Sequence, residues 1–282
     1  MTVNANQVSK IVLEKAVNYA RKEFGSRLIA CYVIGSLAHG GFSPHVSDID
    51  LSIILNSPLN SEDSYRIETI KNNVKKLEIP LAERLSIYWS SIVSLKNKET
   101  EGRFPSLDRL DLIEHGKLLT GKEIRRGIPK PTKREIEVFI VSFALNFLET
   151  PDKFNFFLQP TKVFEQGVIP LTKIILFPVR FLYTISTGNI VGKDEAGAHY
   201  LDRNKGNKAE LVKLALRWRY SSFMYNKDTI QLTRTALIPL YVQFIDAYHS
   251  KMLTYEEFNL ANDLEYWRDK LLKTLLRYGN DC

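Results

Sequence analysis

Apolar positions recur at helical spacing near the start of the chain. Val8, Ile11, Val12, Ala16, Tyr19 and Ala20 fall on one stripe across residues 7–24, and Gly25 offers a stop. The next apolar run, residues 28–34, is short and nearly continuous, the pattern of a buried strand. Residues 35–47 are rich in Gly, Ser and Pro and predict a loop with room for a short helix. A second strand is expected over 48–55, a charged helix over 62–77, and a third strand over 84–90, where polar and apolar residues alternate. A short strand near 117–119 would follow, with Gly121 as a turn.

The texture changes after residues 127–135, which contain two prolines. Long amphipathic helices are expected over 133–149, 168–187, 208–225, 228–249 and 255–277. The pattern predicts an α+β domain at 1–128 and an all-α helical bundle at 129–282.

A composition of 44% hydrophobic and 25% charged residues can bury a real core, which excludes a disordered chain. No stretch of about 18 apolar residues stands out, so no membrane partner is expected. The first residues carry no apolar secretory segment, and a cytoplasmic location is expected. Cys31 and Cys282 do not make a disulfide framework or a zinc cluster, and Cys31 reads as a small core residue. The net charge of +7 admits an anionic partner or a solvated basic surface, and its even spread along the chain does not choose between them.

The candidate chemistry lies at Gly35-Ser36 and, eleven residues on, Asp48-Ile49-Asp50. In a strand, residues two apart share a face, so Asp48 and Asp50 would project together while Ile49 and Leu51 enter the core. Paired carboxylates repel unless a cation lies between them, and Mg²⁺ favours one or two carboxylates plus substrate phosphates. Gly35 would let backbone approach a phosphate, with the Ser36 hydroxyl and nearby N–H groups on its oxygens. Gly40 and Gly41 would help the loop fold back. A D-x-D alone is common; the Gly-Ser turn, Gly-rich loop and Ser-Asp-Ile-Asp-Leu together are specific.

The segment from Gly35 to Leu55 resembles the signature of the DNA polymerase β-like nucleotidyltransferase superfamily. Within it the sequence is most similar to the aminoglycoside adenylyltransferases of the streptomycin/spectinomycin type, with one extra loop residue near His45 and Val46. A second stretch resembles the helical domain of those enzymes: Arg180, Thr187-Gly188 and Lys193-Asp194 at matching spacing. The resemblance implies a nucleotidyltransferase domain with a small mixed sheet and flanking helices, completed by the helical domain. It further implies Mg²⁺ at Asp48 and Asp50, and ATP held by Gly35, Ser36, Ser47, Arg180 and Lys193. Gly188 to Lys193 has one residue too few for a P-loop and lacks the Ser or Thr after the Lys.

The pattern departs at the third carboxylate. In the adenylyltransferases a Glu on the next strand activates the acceptor hydroxyl, and here alignment places Ser86 there. Glu83 shares parity with the apolar set Leu85, Ile87 and Trp89, so it should point away from the acids unless a bulge re-aims it. Asp108 and Asp111 are the other carboxylates that could replace it. Glu165 has no matched role in binding the acceptor; Phe154, Phe156, Phe157 and Phe164 read as core, and His39 as a loop residue able to touch phosphate.

The expected reaction is transfer of AMP from ATP to a hydroxyl of a small-molecule acceptor such as an aminoglycoside, with pyrophosphate released and antibiotic resistance as the consequence. A basic protein suits a polycationic drug poorly, so an RNA or protein acceptor is the alternative. The substitution at Ser86 opens a third reading, a nucleotide-binding relative without transfer.

Overall fold

The computed structural model describes residues 5–99 and 101–280, and Cys282 lies outside them. The chain divides into two compact units, Met1–Thr132 and Lys133–Cys282.

In the first unit, helix α1 (Ala5–Phe24) leads into strand β1 (Leu28–Ile34) and a single helical turn, α2 (Gly35–His39). Strand β2 (Ile49–Leu55), helix α3 (Asp63–Lys75), strand β3 (Leu85–Ser91), helices α4 (Ile92–Asn97) and α5 (Ser106–His115), and strand β4 (Lys117–Gly121) follow. The sheet order is β3-β2-β1-β4, with β2 and β3 parallel and the other pairs antiparallel. It is the expected small mixed sheet.

Alternation divides the sheet into two faces. Cys31, Val33, Ile49, Leu51, Ile53, Leu85 and Ile87 pack with Val12, Ala16 and Ala20 of α1 and Ile67 and Ile70 of α3. The opposite residues Tyr32, Ile34 and Ile54 pack with Phe104 and with Leu112 of α5. Asp50, Ser52, Ser86 and Tyr88 have the parity of this second face. Cys31 is fully buried, and burial pushes its thiol up to about 12.

One expectation in this unit is corrected, and one helix is added to those expected. Gly121 is the last residue of β4, paired with Ala30, rather than a turn beyond it. Its φ of +90° and the backbone of Ile29 and Ala30 pressed against it leave no room for a side chain. Helix α5 was not apparent, because Ser106–His115 mixes buried Leu107, Leu110 and Leu112 with buried Arg109 and Asp111.

The second unit has helices and no strand among its described residues: α6 (Lys133–Leu148), α7 (Pro151–Leu158), α8 (Pro160–Glu165), α9 (Val168–Thr187), α10 (Lys193–Arg203), α11 (Asn207–Trp218), α12 (Lys227–Thr254) and α13 (Phe258–Asn280). The helix expected over 208–225 stops at Trp218. Its trailing apolar residues belong to a loop whose Phe223 stacks on Phe164 and whose Tyr225 lies tilted against the same ring, and Phe223 also meets Trp218 edge-on. An Asn226 capping box then starts α12.

Helix α9 is long and apolar enough to cross a membrane, which corrects the expectation that no such stretch occurs; Lys173 and Arg180 interrupt it without offsetting its apolar content. Half of its most apolar window is buried, with Leu171, Ile174, Ile175, Leu176 and Val179 in the core of the unit. Pro178 within it has no N–H to offer the Ile174 carbonyl four residues back. The buried Tyr241 hydroxyl of α12 donates to that carbonyl at 2.8 Å.

Candidate active site

The turn from β1 into α2 requires glycine. Gly35 has φ +65°, and a Cβ there would collide with the Asp50 carboxylate. Backbone and carboxylate therefore lie against each other. The Gly35 N–H donates to Asp111 Oδ2 at 2.7 Å, so this N–H is already engaged. Gly40, with φ +84°, ends α2 in the left-handed region and lets the loop turn back. Ser47 is buried, and its Oγ accepts the Ser43 N–H at 2.9 Å, closing the loop before the acids. Arg84 donates to the Pro44 carbonyl at 2.6 Å and ties the same loop to the start of β3.

Strand β2 begins at Ile49, so Asp48 stands one residue ahead of it and Asp50 lies within it. Both acids are half-buried, while Ile49 and Leu51 are fully buried. Asp50 is in register with Ile34 on one side and Ser86 on the other. Ser86 thus occupies the position beside Asp50 at which a third carboxylate was sought.

The three alternatives to that carboxylate separate clearly. Glu83 lies in a 3-10 turn before β3, its side chain 59% exposed and paired with Arg84. Asp111 on α5 has both oxygens engaged, one by Gly35 and the other by His39 Nε2 at 2.5 Å. Asp108, one turn earlier on α5, hydrogen-bonds Tyr88. Burial, followed by the charges of Asp108 and Asp50, raises the Tyr88 pKa, so its hydroxyl stays protonated. The Tyr88 ring also carries the Arg103 guanidinium, 4.5 Å from its centroid. Asp50, Tyr88 and Asp108 are therefore electrostatic neighbours.

In the second unit Arg180 and Lys193 are near each other in the fold. The Arg180 Nε donates at 3.0 Å to the Val191 carbonyl, two residues before Lys193, which opens α10. The buried Arg219 holds Asp194 by two bonds of 2.9 and 3.0 Å, and Tyr220 adds a third of 2.7 Å. Gly188 to Gly192 connects two helices, whereas a P-loop follows a strand. Glu165 is exposed at the end of α8, and Phe154, Phe156, Phe157 and Phe164 are core residues.

Sequence reasoning did not single out Tyr88, Arg84 or His115. Only the alternation of β3 pointed to Tyr88, by placing it on the face of Ser86.

Residues 13–103 match the family model for a nucleotidyltransferase domain. No curated protein matches the chain by sequence. Among solved structures, the chain is similar to spectinomycin adenyltransferase AAD(9) from Enterococcus faecialis, crystallised with ATP and spectinomycin. The TM-score is 0.58 at 16% identity, over 93% of this chain and 98% of that one. Residues 13–103, which hold most of the sheet, the Gly35 turn and the acids, are thus the part that matches a nucleotidyltransferase domain, on a chain that shares the fold of spectinomycin adenyltransferase AAD(9).

Proposed function

We propose that the chain transfers AMP from ATP to a hydroxyl of a small-molecule acceptor and releases pyrophosphate, with Asp48 and Asp50 as the catalytic metal ligands. The observation that carries this reading is the Asp50 carboxylate set against the Gly35 backbone, where no side chain fits. The oxygen-only donor set of Asp48 and Asp50 suits Mg²⁺, and Gly35 keeps the turn beside it low enough for a triphosphate. Bound there, Mg²⁺ would neutralise phosphate oxygens and align them for in-line displacement.

The protein's own groups do the rest. Ser36 offers a hydroxyl to the phosphates, and Ser47 positions them through the loop it closes. Arg180 and Lys193 supply positive charge to the nucleotide, one as a fork and the other as a point charge. Their assignment draws support from the matching sequence spacing and from the bond that ties Arg180 beside the start of α10. Asp108 is the carboxylate best suited to take the acceptor proton. Tyr88 ties it to the neighbourhood of Asp50, whereas Glu83 faces solvent, Asp111 spends both oxygens on Gly35 and His39, and Ser86 carries no carboxylate.

An aminoglycoside or related aminocyclitol is the acceptor class we favour, because the similar structure holds spectinomycin with ATP. Antibiotic resistance would follow from that activity. The net charge of +7 favours a second reading, an RNA or protein acceptor.

The test is to incubate the protein with Mg²⁺, α-labelled ATP and a cell extract supplemented with spectinomycin and streptomycin. Label is then separated into small-molecule, RNA and protein fractions. We expect label on the small-molecule acceptor, absent with Asp50→Asn and lowered about 10²–10⁴-fold with Asp108→Asn. Label on RNA or protein would move the assignment to the second reading. Mg·ATP binding with no label in any fraction would refute transfer.

A further inference from the structure

Helix α5 carries Asp111 and His115 four residues apart, hence on one face, and α2 ends in His39 opposite them. One ligand atom from each of these three side chains lies within 4.8 Å of the others. The His39 Nε2 to Asp111 Oδ1 distance is 2.5 Å, and the two imidazole centroids are 4.1 Å apart. His39 and Asp111 are nearly enclosed, with side chains 10% and 6% exposed, while His115 at 34% opens the group to solvent.

The geometry points to a second metal site, made by His39, Asp111 and His115, for a late first-row divalent cation such as Zn²⁺. Two neutral imidazoles and one carboxylate form a set that Zn²⁺ and its neighbours accept, with positions left for water. Mg²⁺ takes oxygen ligands, so the acids at β2 and this cluster select different ions. Tetrahedral zinc places neighbouring ligand atoms roughly 3.3 Å apart. The His39–Asp111 contact must therefore widen by less than about 1 Å, and His115, in the last turn of α5, has the freedom to close in. The ion would clamp α2 to α5 on the Oδ1 side of Asp111 while Oδ2 keeps the Gly35 N–H. The site stands on these three side chains whether or not the chain transfers nucleotides.

The test uses the full chain, stripped of metal and then kept in excess Mg²⁺ so that oxygen-only sites are occupied. Co²⁺ is titrated in and its visible absorption followed, with Zn²⁺ added as competitor. We expect one Co²⁺ per chain, displaced by Zn²⁺. His39→Gln and His115→Gln should each weaken binding by at least about tenfold, and Asp50→Asn should not weaken it. Zn²⁺ should raise the wild-type melting temperature and leave that of His115→Gln unchanged. Because His115 is partly exposed, that variant should fold, and its circular dichroism checks this independently of metal. Absence of Co²⁺ uptake, undiminished uptake by folded His115→Gln, or loss of uptake with Asp50→Asn would each overturn the site.

Discussion

Gly35 and Gly40 bracket the same helical turn, and alanine at each separates fold from function. Both have positive φ, +65° and +84°, so alanine at either is strained by about 1–2 kcal/mol. In a unit of this size each kcal/mol lowers Tm by roughly 3–5 °C, so both variants should melt lower by similar amounts. They differ in what the new methyl meets. At Gly40 nothing lies within 4 Å; at Gly35 the methyl runs into the Asp50 carboxylate. A carboxylate on a flexible stem can retreat, so Gly35→Ala should fold. The retreat needed to reach ordinary van der Waals separation is about 1 Å, whereas metal–ligand distances tolerate roughly 0.2 Å. Mg·ATP affinity, measured by titration calorimetry, should fall at least tenfold, about 1.4 kcal/mol, in Gly35→Ala. In Gly40→Ala it should stay within about twofold. Equal affinity in the two variants would refute the argument that the Gly35 backbone shapes the Asp50 site.

Other consequences follow from single contacts. Tyr241→Phe strands the Ile174 carbonyl that Pro178 already deprives of a partner, and should cost about 1–3 kcal/mol by urea unfolding. Tyr248→Phe removes a similar bond to the Phe181 carbonyl, which has no proline four residues on, and should cost less. Ser86→Glu places a third carboxylate in register with Asp50, so its Tm in a chelator should drop below wild type and recover part of the loss with Mg²⁺. Burial pushes the Asp63 carboxyl up, but hydrogen bonds from Arg27 and the Asn60 N–H and the charges of Arg27 and Arg66 together hold it below the ordinary range. A depressed folded pKa gives stability that is present above the unfolded value and lost as pH falls below it. Asp63→Asn should therefore cost roughly 3 kcal/mol at neutral pH, with the difference shrinking in acid titrations; a constant difference down to acid pH would contradict this.

Much of the first unit is legible because its elements have one period each. The stripe of α1, the continuous run of β1 and the alternation of β3 predict their spans and the faces they bury. The alignment sets Ser86 at the position that lies in register with Asp50, whereas Glu83, expected to share the apolar parity of β3, lies in a 3-10 turn before the strand with its side chain in solvent. Helix α5 is hidden because its buried face includes Arg109 and Asp111, and the Asp111 partners Gly35 and His39 come from a distant part of the chain. Periodicity cannot see such partners, so the Asp111 contacts to Gly35 and His39, and the Tyr88–Asp108 pair, emerge only in three dimensions. In the second unit α7 and α8 are too short for a clear stripe, though Pro151 and Pro160 at their starts were available signals. The loop after Trp218 reads as helix because an aromatic cluster places apolar residues at helical intervals without a helix.

The central claim is that the Asp48–Asp50 face performs metal-dependent nucleotidyl transfer. Pyrophosphate release from ATP in the presence of spectinomycin measures it most directly, for wild type and Asp50→Asn, each with Mg²⁺ and with chelator. The account predicts release that requires the acceptor, Mg²⁺ and the intact carboxylate together. Release that persists in Asp50→Asn or in chelator would contradict the assignment of the site.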